Sequence, residues 1–206
     1  MRKLPLVGLL FASTLGLAQN ASPAASTALP VISAKTAGMK HLDGLLPLDW
    51  DAASGKLYLE IPRLGPDGHS EDLLYTNTLP YGTGSNDLGL DRGQIGGGRL
   101  VRFERSGPKV LLVAPNLAFR ALASDPAEQL AVTQSFPESV LWGFTVAAEA
   151  ADGAVLVDAT EFFLHDGHGV AETLTSLKQG AYKVDETRST IALDGTKAFP
   201  KNLFKN

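Results

Sequence analysis

Short runs of β-prone residues, separated by proline and glycine turns, constrain the fold of this chain more than any other feature. The segment Lys56–Ile61 alternates in polarity, which places Leu57, Leu59 and Ile61 on one face of a strand before Pro62 ends it. Further β-prone runs span residues 73–78, 99–105, 109–114, 140–150 and 154–164. This pattern predicts a mainly β fold, either an antiparallel sheet or a sandwich-like domain.

Two tripeptides predict the turns between neighbouring runs. Ser106-Gly107-Pro108 joins the third and fourth runs as a tight turn, and Ala151-Asp152-Gly153 joins the last two. Asp-Gly between two β-prone segments is among the better short-range signals of a β-hairpin. The uninterrupted apolar run at residues 110–113 predicts a central strand that is covered on both faces.

Two short helices are predicted among the strands. Asp125 is suited to cap a helix, Pro126 to occupy its first position and Glu128 its third, so a helix should begin here and end near Phe136. A second helix is predicted over residues 170–178, with Gly180 after it as a stop. The fold class is therefore mainly β with two short helices.

The first 18 residues have the layout of a secretory signal peptide. Arg2 and Lys3 give a basic start, residues 4–17 are mostly apolar, and Gly16-Leu17-Ala18 is a small-x-small cleavage site. The apolar stretch is shorter than a membrane-spanning helix and contains Pro5. We therefore expect export to the periplasm or the medium, with no membrane span after cleavage. The expected organisation is a signal peptide (1–18), a flexible lead-in (19–37) and a single β-rich domain (38–206).

The charge and the cysteine count exclude some classes of protein. The chain has a formal net charge of −4, and loss of the leader removes two further positive charges, so the clustered basic face of a nucleic-acid-binding protein is not expected. There is no cysteine, so the chain can form neither a disulfide nor a thiolate metal site. Its stability must therefore come from a hydrophobic core.

A glycine-rich segment at residues 82–98 is the strongest candidate for a binding site. Seven of its 17 residues are glycine, which lets the backbone adopt positive φ and approach other groups closely. The polar side chains of the predicted ligand- or partner-binding loop are Asn86, Asp87, Asp91, Arg92 and Gln94. Arg92 could clamp a carboxylate with two hydrogen bonds. The alternative is a structural loop in which Arg92 and Asp91 hold the turn together.

Other polar pairs give weaker signals of chemistry. His165 and His168 flank an Asp-Gly turn without an evident third ligand, so a surface turn is favoured over a zinc site. Asp158 and Glu161 are predicted to lie on one strand and to face opposite sides of it, which favours solvated or ion-paired acids over a catalytic pair. The sequence contains no His-Glu-x-x-His, Gly-x-Ser-x-Gly or phosphate-loop motif. We therefore expect no metal ligands and no catalytic residues.

Four segments carry a resemblance to a known family. In chain order they read GLLPLDWDAASGKLYLEIPRL (44–64), GSNDLGLDRGQIGGGRLVRFERSGPKVLLVAPN (84–116), SVLWGF (139–144) and VLVDATEFFLHDGHGVAE (155–172). Over residues 36–202 the chain resembles the N-terminal domain, of unknown function, of large exported bacterial zinc-dependent metalloproteases. The resemblance implies a downstream peptidase domain that carries an extended His-Glu-x-x-His motif, with zinc expected only there. No catalytic residue carries over, because none of the matching positions is one.

Two functions follow as hypotheses. The first is a non-catalytic accessory domain that packs against a peptidase domain, in cis or in trans, and helps to shape its cleft for a peptide substrate. The second is a freestanding periplasmic or secreted module that binds a peptide or a glycan through Arg92. The sequence ends at Asn206 before any zinc motif, so a truncated gene product, a fragment and a separated domain all stay open.

Overall fold

The computed structural model of the chain describes residues 28–82, 89–122 and 124–204. Its strands are β1 (Lys40–Leu42), β2 (Leu48–Asp51), β3 (Lys56–Ile61), β4 (Leu73–Tyr75), β5 (Thr78–Leu79), β6 (Gln94–Ile95), β7 (Arg99–Ser106), β8 (Lys109–Ala114), β9 (Ser139–Glu149), β10 (Val155–Asp158), β11 (Lys197–Phe199) and β12 (Asn202–Phe204). Its α-helices are α1 (Ile32–Lys35), α2 (Pro126–Ser135), α3 (Thr160–Leu164) and α4 (Val170–Ser176). The prediction of a mainly β fold is confirmed.

Eight strands form one antiparallel sheet in the order β1-β2-β3-β10-β9-β8-β7-β4. Two sets of three consecutive strands, β1-β2-β3 and β7-β8-β9, are therefore joined through β10, which lies between β3 and β9. Strands β5 and β6 form a separate two-stranded hairpin, and β11 and β12 form another. In this arrangement β1 and β4 are the edge strands of the large sheet.

One face of the large sheet carries the main hydrophobic core. The predicted inward residues of β3, Leu57, Leu59 and Ile61, are all buried there, because alternate residues of a strand share a face. Phe144 in β9 is 1% exposed and packs in the same cluster. The other buried members of this core are Leu48, Val101, Phe103, Val110, Leu112, Val146, Val155, Val157, Ala159 and Ile191.

The opposite face carries a smaller cluster beneath helix α1. Ile32 of α1 packs with Tyr58 of β3 and with Ala148, Ala154 and Leu156. Strand β3 is therefore buried on both faces at its centre. The short helix lies inside the predicted lead-in, whose last part contributes to the core because Ile32 is apolar and only 8% exposed. The domain boundaries themselves stay a prediction.

Both predicted turns are hairpin turns of the large sheet. Gly107 has a φ of 54° between β7 and β8, and Gly153 has a φ of 94° between β9 and β10. In the second turn, the Asp152 carboxylate accepts a hydrogen bond from the backbone N–H of Ala154 (3.1 Å). An Asp-Gly sequence supplies both the side-chain acceptor and the positive φ that such a tight reversal needs.

The prediction of one strand over residues 154–164 is wrong, because the strand ends at Asp158 and helix α3 follows. The Asp158 carboxylate accepts hydrogen bonds from the backbone N–H (3.1 Å) and the hydroxyl (2.6 Å) of Thr160, and this turns the chain out of the sheet. Helix α3 then packs Phe162 and Phe163 against the main core. Tertiary packing therefore overrides the β propensity of these aromatic residues.

The predicted run at residues 73–78 also divides into two elements. Strand β4 ends at Tyr75 and pairs with β7, whereas β5 begins at Thr78 and pairs with β6. The two residues between them, Thr76 and Asn77, redirect the chain from the large sheet into the small hairpin. Strand partners that are distant in sequence decide this break, so local propensity gives no sign of it.

The two predicted helices are confirmed as α2 and α4. Asp125 caps α2 by accepting a hydrogen bond from the N–H of Ala127 (2.9 Å), with Pro126 at the first helical position. Helix α4 ends at Ser176, before the predicted end, and positive φ at Lys178 and Gly180 then reverses the chain. Helices α1 and α3 were not predicted, since each is held by packing on the sheet.

The C-terminal hairpin β11-β12 is docked on the loop before β2. The backbone N–H of Leu45 donates to the carbonyl of Phe199 (2.7 Å), and Leu203 packs against the main core. A side chain at Gly44 would place its Cβ 2.6 Å from the Cβ of Ala198, so the two backbones need glycine to approach this closely. In the part of the chain that the structure describes, no helix is long and apolar enough to cross a bilayer.

Candidate functional site

The glycine-rich segment is built around the small hairpin of β5 and β6, which we call the glycine hairpin. Asn86 and Asp87 lie outside the described residues, whereas Asp91, Arg92 and Gln94 lie within them. The described part of the connection is anchored by Leu90, which is 2% exposed, and it passes through positive φ at Gly89 (63°). The burial of Leu90 therefore anchors the described part of the predicted loop to the rest of the domain.

Backbone contacts hold the glycine hairpin together. The N–H of Gly93 donates to the carbonyl of Leu79, and the N–H of Gly96 donates to the carbonyl of Asn77, both at 2.7 Å. A Cβ on Gly82 would lie 2.7 Å from the amide nitrogen of Arg92 and from the carbonyl oxygen of Leu90. Glycine is needed here because the two backbone segments approach more closely than a side chain allows.

The predicted polar residues have different roles within the hairpin. The side-chain oxygen of Gln94 accepts from the N–H of Asp91 (3.3 Å), and the N–H of Gln94 donates to the carbonyl of Asp91 (3.1 Å). Gln94 and the backbone of Asp91 therefore close the turn. Arg92 is exposed and has no ion pair with any residue that the structure describes. The backbone of Asp91 thus takes part in the turn, while the two roles considered for Arg92, a carboxylate clamp or a residue that holds the turn with Asp91, stay predictions.

The glycine hairpin meets the His165–His168 turn. A Cβ on Gly167 would lie 3.6 Å from the side-chain nitrogen of Asn77 and 3.3 Å from Nε2 of His165. Asn77 is thus the residue at which the two segments approach each other, since its carbonyl also accepts from Gly96 of the hairpin. Residue spacing gave no sign of this contact, because Asn77 and Gly167 are far apart in the chain.

An aromatic cluster lies beneath this junction. The ring of Trp142 lies 5.1 Å from the ring of His165 and 5.6 Å from that of Phe162, measured between centroids. Tyr75, at the end of β4, contacts Phe162 at 6.1 Å, and burial raises the pKa of its hydroxyl. These distances fall in the range of favourable aromatic pairs. The cluster therefore provides a rigid base for the exposed ring of His165.

The turn from His165 to His168 has a structural role in the described chain. Both oxygens of Asp166 cap helix α4, accepting from the N–H groups of Val170 (2.9 Å) and Ala171 (2.7 Å). His165 contacts the carbonyl oxygen of Phe162 through Nδ1. Within residues 28–82, 89–122 and 124–204, no three His, Asp or Glu side chains are grouped so that they could hold a metal ion. That zinc belongs only to another domain stays a prediction.

Asp158 and Glu161 lie on different elements, so the strand geometry expected for them is wrong. Asp158 ends β10 and forms an ion pair with Lys56 (2.6 Å), whereas Glu161 lies in the first turn of α3. Burial alone would raise the pKa of Asp158, but its hydrogen bonds with Lys56 and Thr160 lower it overall. Asp158 is therefore an ion-paired acid that also turns the chain.

A buried carboxylate at the other end of the sheet was not identified from the sequence. Asp49 in β2 is 3% exposed, and its carboxylate lies 2.8 Å from Nδ1 of His41 on the neighbouring strand β1. The second ring nitrogen of His41 lies 3.1 Å from the exposed carboxylate of Asp43. The hydrogen bond with Asp49 raises the pKa of His41 above 6.5, although burial acts in the opposite direction. Nothing in the sequence indicated this burial, because an acid between Leu48 and Trp50 in a strand is typical of a position that faces solvent.

The His41–Asp49 pair should make stability depend on pH. Because the folded pKa of His41 is raised, its contribution is complete below the unfolded value of about 6.5 and is lost as pH rises through the folded pKa. Urea unfolding at a series of pH values should show this loss in the wild type and not in His41→Gln. The control is Asp43→Asn, because Asp43 is exposed; this variant should keep most of the loss of stability that the wild type shows as pH rises. Equal pH dependence in wild type and His41→Gln would contradict this role.

The comparisons with known proteins identify a family. The domain of unknown function DUF5117 matches residues 93–204, which is more than half of the chain. No curated protein and no solved structure matches the chain at a significant level. The matched region begins inside the glycine hairpin and includes the aromatic cluster partners Trp142 and His165, while β1 to β5 lie before it. This chain therefore belongs to the DUF5117 family, a domain of unknown function.

Proposed function

We propose that this chain is a non-catalytic accessory domain of an exported zinc-dependent metalloprotease, and that the glycine hairpin contacts the peptidase domain beside its substrate cleft. The four segments that resemble the metalloprotease family support this proposal. In the fold, Trp142 of β9 contacts His165, and Asn77 links the turn of His165 and Gly167 to Gly96 of the glycine hairpin, so parts of three of these segments lie near one another. Their convergence fits a shared contact surface.

The observation that carries the proposal is the combination of a fixed backbone and outward side chains in the glycine hairpin. Gly82 and Gly96 permit close backbone contacts. Tyr81 and Ile95, by contrast, are 77% and 71% exposed, and Arg92 is exposed beside them. The described residues of this hairpin, held by backbone contacts, present an aromatic ring, an aliphatic side chain and a guanidinium, and aromatic residues and arginine are enriched at protein interfaces. Peptide-bond chemistry would belong to the partner, because this sequence has no His-Glu-x-x-His motif.

The first experiment asks whether a peptidase is the partner. Sequencing the DNA around this gene should identify a reading frame that encodes the extended zinc motif. This frame should be either continuous with the frame of this chain or adjacent to it. The encoded zinc-loaded peptidase should bind the purified chain in calorimetry, and Arg92→Ala should weaken binding about tenfold, as for an interface hot spot. Arg188→Ala is the control, because Arg188 is 81% exposed and lies outside the hairpin. Absence of such a peptidase, or of binding to it, would contradict the proposal.

A second assay tests the non-catalytic part of the proposal. The purified chain by itself should not hydrolyse casein, and hydrolysis that chelators abolish would contradict this expectation. Export is tested by the mass of the secreted protein, which should begin at Gln19 if residues 1–18 are a signal peptide. A protein that keeps residues 1–18 and stays in the cytoplasm would contradict the proposed location.

Arg92, which has no ion pair with a described residue, also supports the second hypothesis, a freestanding module that binds a peptide or a glycan, and the peptide form of this hypothesis can be tested directly. In that case the chain should bind peptides with a free C-terminal carboxylate better than the same peptides with an amidated end, since a guanidinium pairs with carboxylates. The preference should disappear in Arg92→Ala. Binding that is equal for free and amidated peptides would exclude Arg92 as the clamp, and binding to a peptidase alone would favour the accessory role.

A further inference from the structure

A long excursion leaves the sheet between β8 and β9 and exposes many apolar side chains. We call its described residues, 115–122 and 124–138, the α2 arm. No residue of α2 is buried, although every residue of this helix is described. Exposed large apolar side chains of the arm and of the start of β9 are Leu117, Phe119, Leu122, Leu130, Phe136 and Val140.

A short helix with no buried residue, such as α2, needs another surface that packs against it. Isolated helices shorter than about 12–15 residues are marginal in water, and α2 has 10 residues without a buried one. Soluble monomers also rarely expose large apolar patches. The cap by Asp125 satisfies one end of the helix but buries no apolar surface. The arm therefore has the properties of an interface whose partner covers α2.

The charges of the arm indicate which partner fits. The rings of Phe119 and Phe136 stack with centroids 3.9 Å apart, so the neighbouring Arg120 lies at the C-terminal end of α2. Glu128 lies in the first turn, at the opposite end of the helix. Neither Arg120 nor Glu128 forms an ion pair with a residue in the described ranges. Among the described residues, the arm thus presents a cation, Arg120, at the C-terminal end of α2 and two acids, Asp125 and Glu128, at its N-terminal end, with the exposed Leu130 between them.

We infer that the α2 arm is a dimer interface in which two copies of this chain pack their α2 helices antiparallel about a two-fold axis. The axis brings Arg120 of each copy to Glu128 of the other, at both ends of a contact about 15 Å long. Leu130, which lies between these charges and is 57% exposed in one copy, is then covered. A single cation in the arm does not suit an anionic membrane surface. This inference is independent of the proposed function, because the arm and the glycine hairpin are different segments.

Sedimentation of the purified full chain over about 1–100 μM tests the dimer, a range that detects micromolar association. The wild type should shift from monomer to dimer within this range. Leu130→Asp should raise the dissociation constant at least tenfold, because it places a charge in an apolar contact. Leu74→Asp is the matched control, since Leu74 is 76% exposed but lies in β4, outside the arm, and its association should equal that of the wild type.

Charge reversal tests the antiparallel arrangement without relying on an apolar substitution. Arg120→Glu and Glu128→Arg should each weaken association about two- to fivefold, as expected for exposed ion pairs. The double variant should recover wild-type association, because both pairs are restored with opposite polarity. Circular dichroism and urea unfolding verify that each variant remains folded.

Three results would overturn the inference. One is a wild type that stays monomeric at about 100 μM, which would leave the arm to a different partner. Another is a dimer whose dissociation constant is the same in wild type and Leu130→Asp. The third is a charge-reversed double variant that associates no better than the single variants.

Discussion

Phe144→Ala is expected to lower the free energy of unfolding by about 3–5 kcal/mol, the range measured for removing a buried aromatic ring. Phe144 is 1% exposed at the centre of the main core, where its ring lies 6.1 Å from that of Phe103 and 5.3 Å from that of Phe162. Because strands from both ends of the sheet contribute to this core, the cavity would weaken the packing of several elements. Urea unfolding followed by tryptophan fluorescence measures the loss.

The control for this prediction is Phe119→Ala. The same atoms are removed, but Phe119 is 51% exposed and stacks on Phe136 of the α2 arm. Its loss should cost about 1 kcal/mol or less, the value of one aromatic pair. Equal destabilisation by the two substitutions would show that the main core is not centred on Phe144.

The second large effect is expected from Gly82→Ala in the glycine hairpin. The new Cβ would lie 2.7 Å from two backbone atoms, the amide nitrogen of Arg92 and the carbonyl oxygen of Leu90, so the hairpin must shift. A strain of about 1–3 kcal/mol corresponds to roughly 5- to 150-fold faster opening of the hairpin. Hydrogen exchange of the Gly93 and Gly96 amides, which donate across the hairpin, reports this opening.

Gly97→Ala is the matched control for this substitution. A Cβ on Gly97 has no heavy atom within 4 Å, and Gly97 does not have the positive φ that disfavours alanine. Its amide exchange rates should stay within about twofold of the wild type. If the amides of Gly93 and Gly96 exchange as slowly in Gly82→Ala as in Gly97→Ala, the close approach of Gly82 to the backbone of Leu90 and Arg92 does not stabilise the hairpin. Under the proposed function, Gly82→Ala should also weaken binding to the peptidase, whereas Gly97→Ala should not.

The elements that the sequence predicts best are those whose signals are local. Alternation in Lys56–Ile61 and the Asp152-Gly153 turn each depend on a few consecutive residues, and both have the expected structure. The cap of α2 is likewise contained in Asp125 and Pro126. The helix at Thr160–Leu164 was missed because the packing of Phe162 and Phe163 on the core, which favours it over a strand, is tertiary, although the hydrogen bonds between Asp158 and Thr160 are local.

The candidate site also combines features that depend on neighbouring residues with features that depend on tertiary contacts. Its glycines and polar residues are evident in the sequence, and Gln94 and Asp91 interact within one turn. The junction with the His165–His168 turn depends on Asn77, which the fold brings beside Gly167. The pair of His41 and Asp49 depends on the register of β1 against β2, which is set when the buried face of β2 joins the core.

The sequence by itself determined the antiparallel β character of this protein, its hairpin turns and the caps of its helices, because residues close in the chain produce those features. Only the tertiary structure decided the strand order that places β10 between β3 and β9, the burial of Asp49, the meeting of the glycine hairpin with His165 and the exposure of α2. Each of these depends on segments that are distant in the chain. Such contacts form only when the hydrophobic effect brings one face of every central strand into a common core.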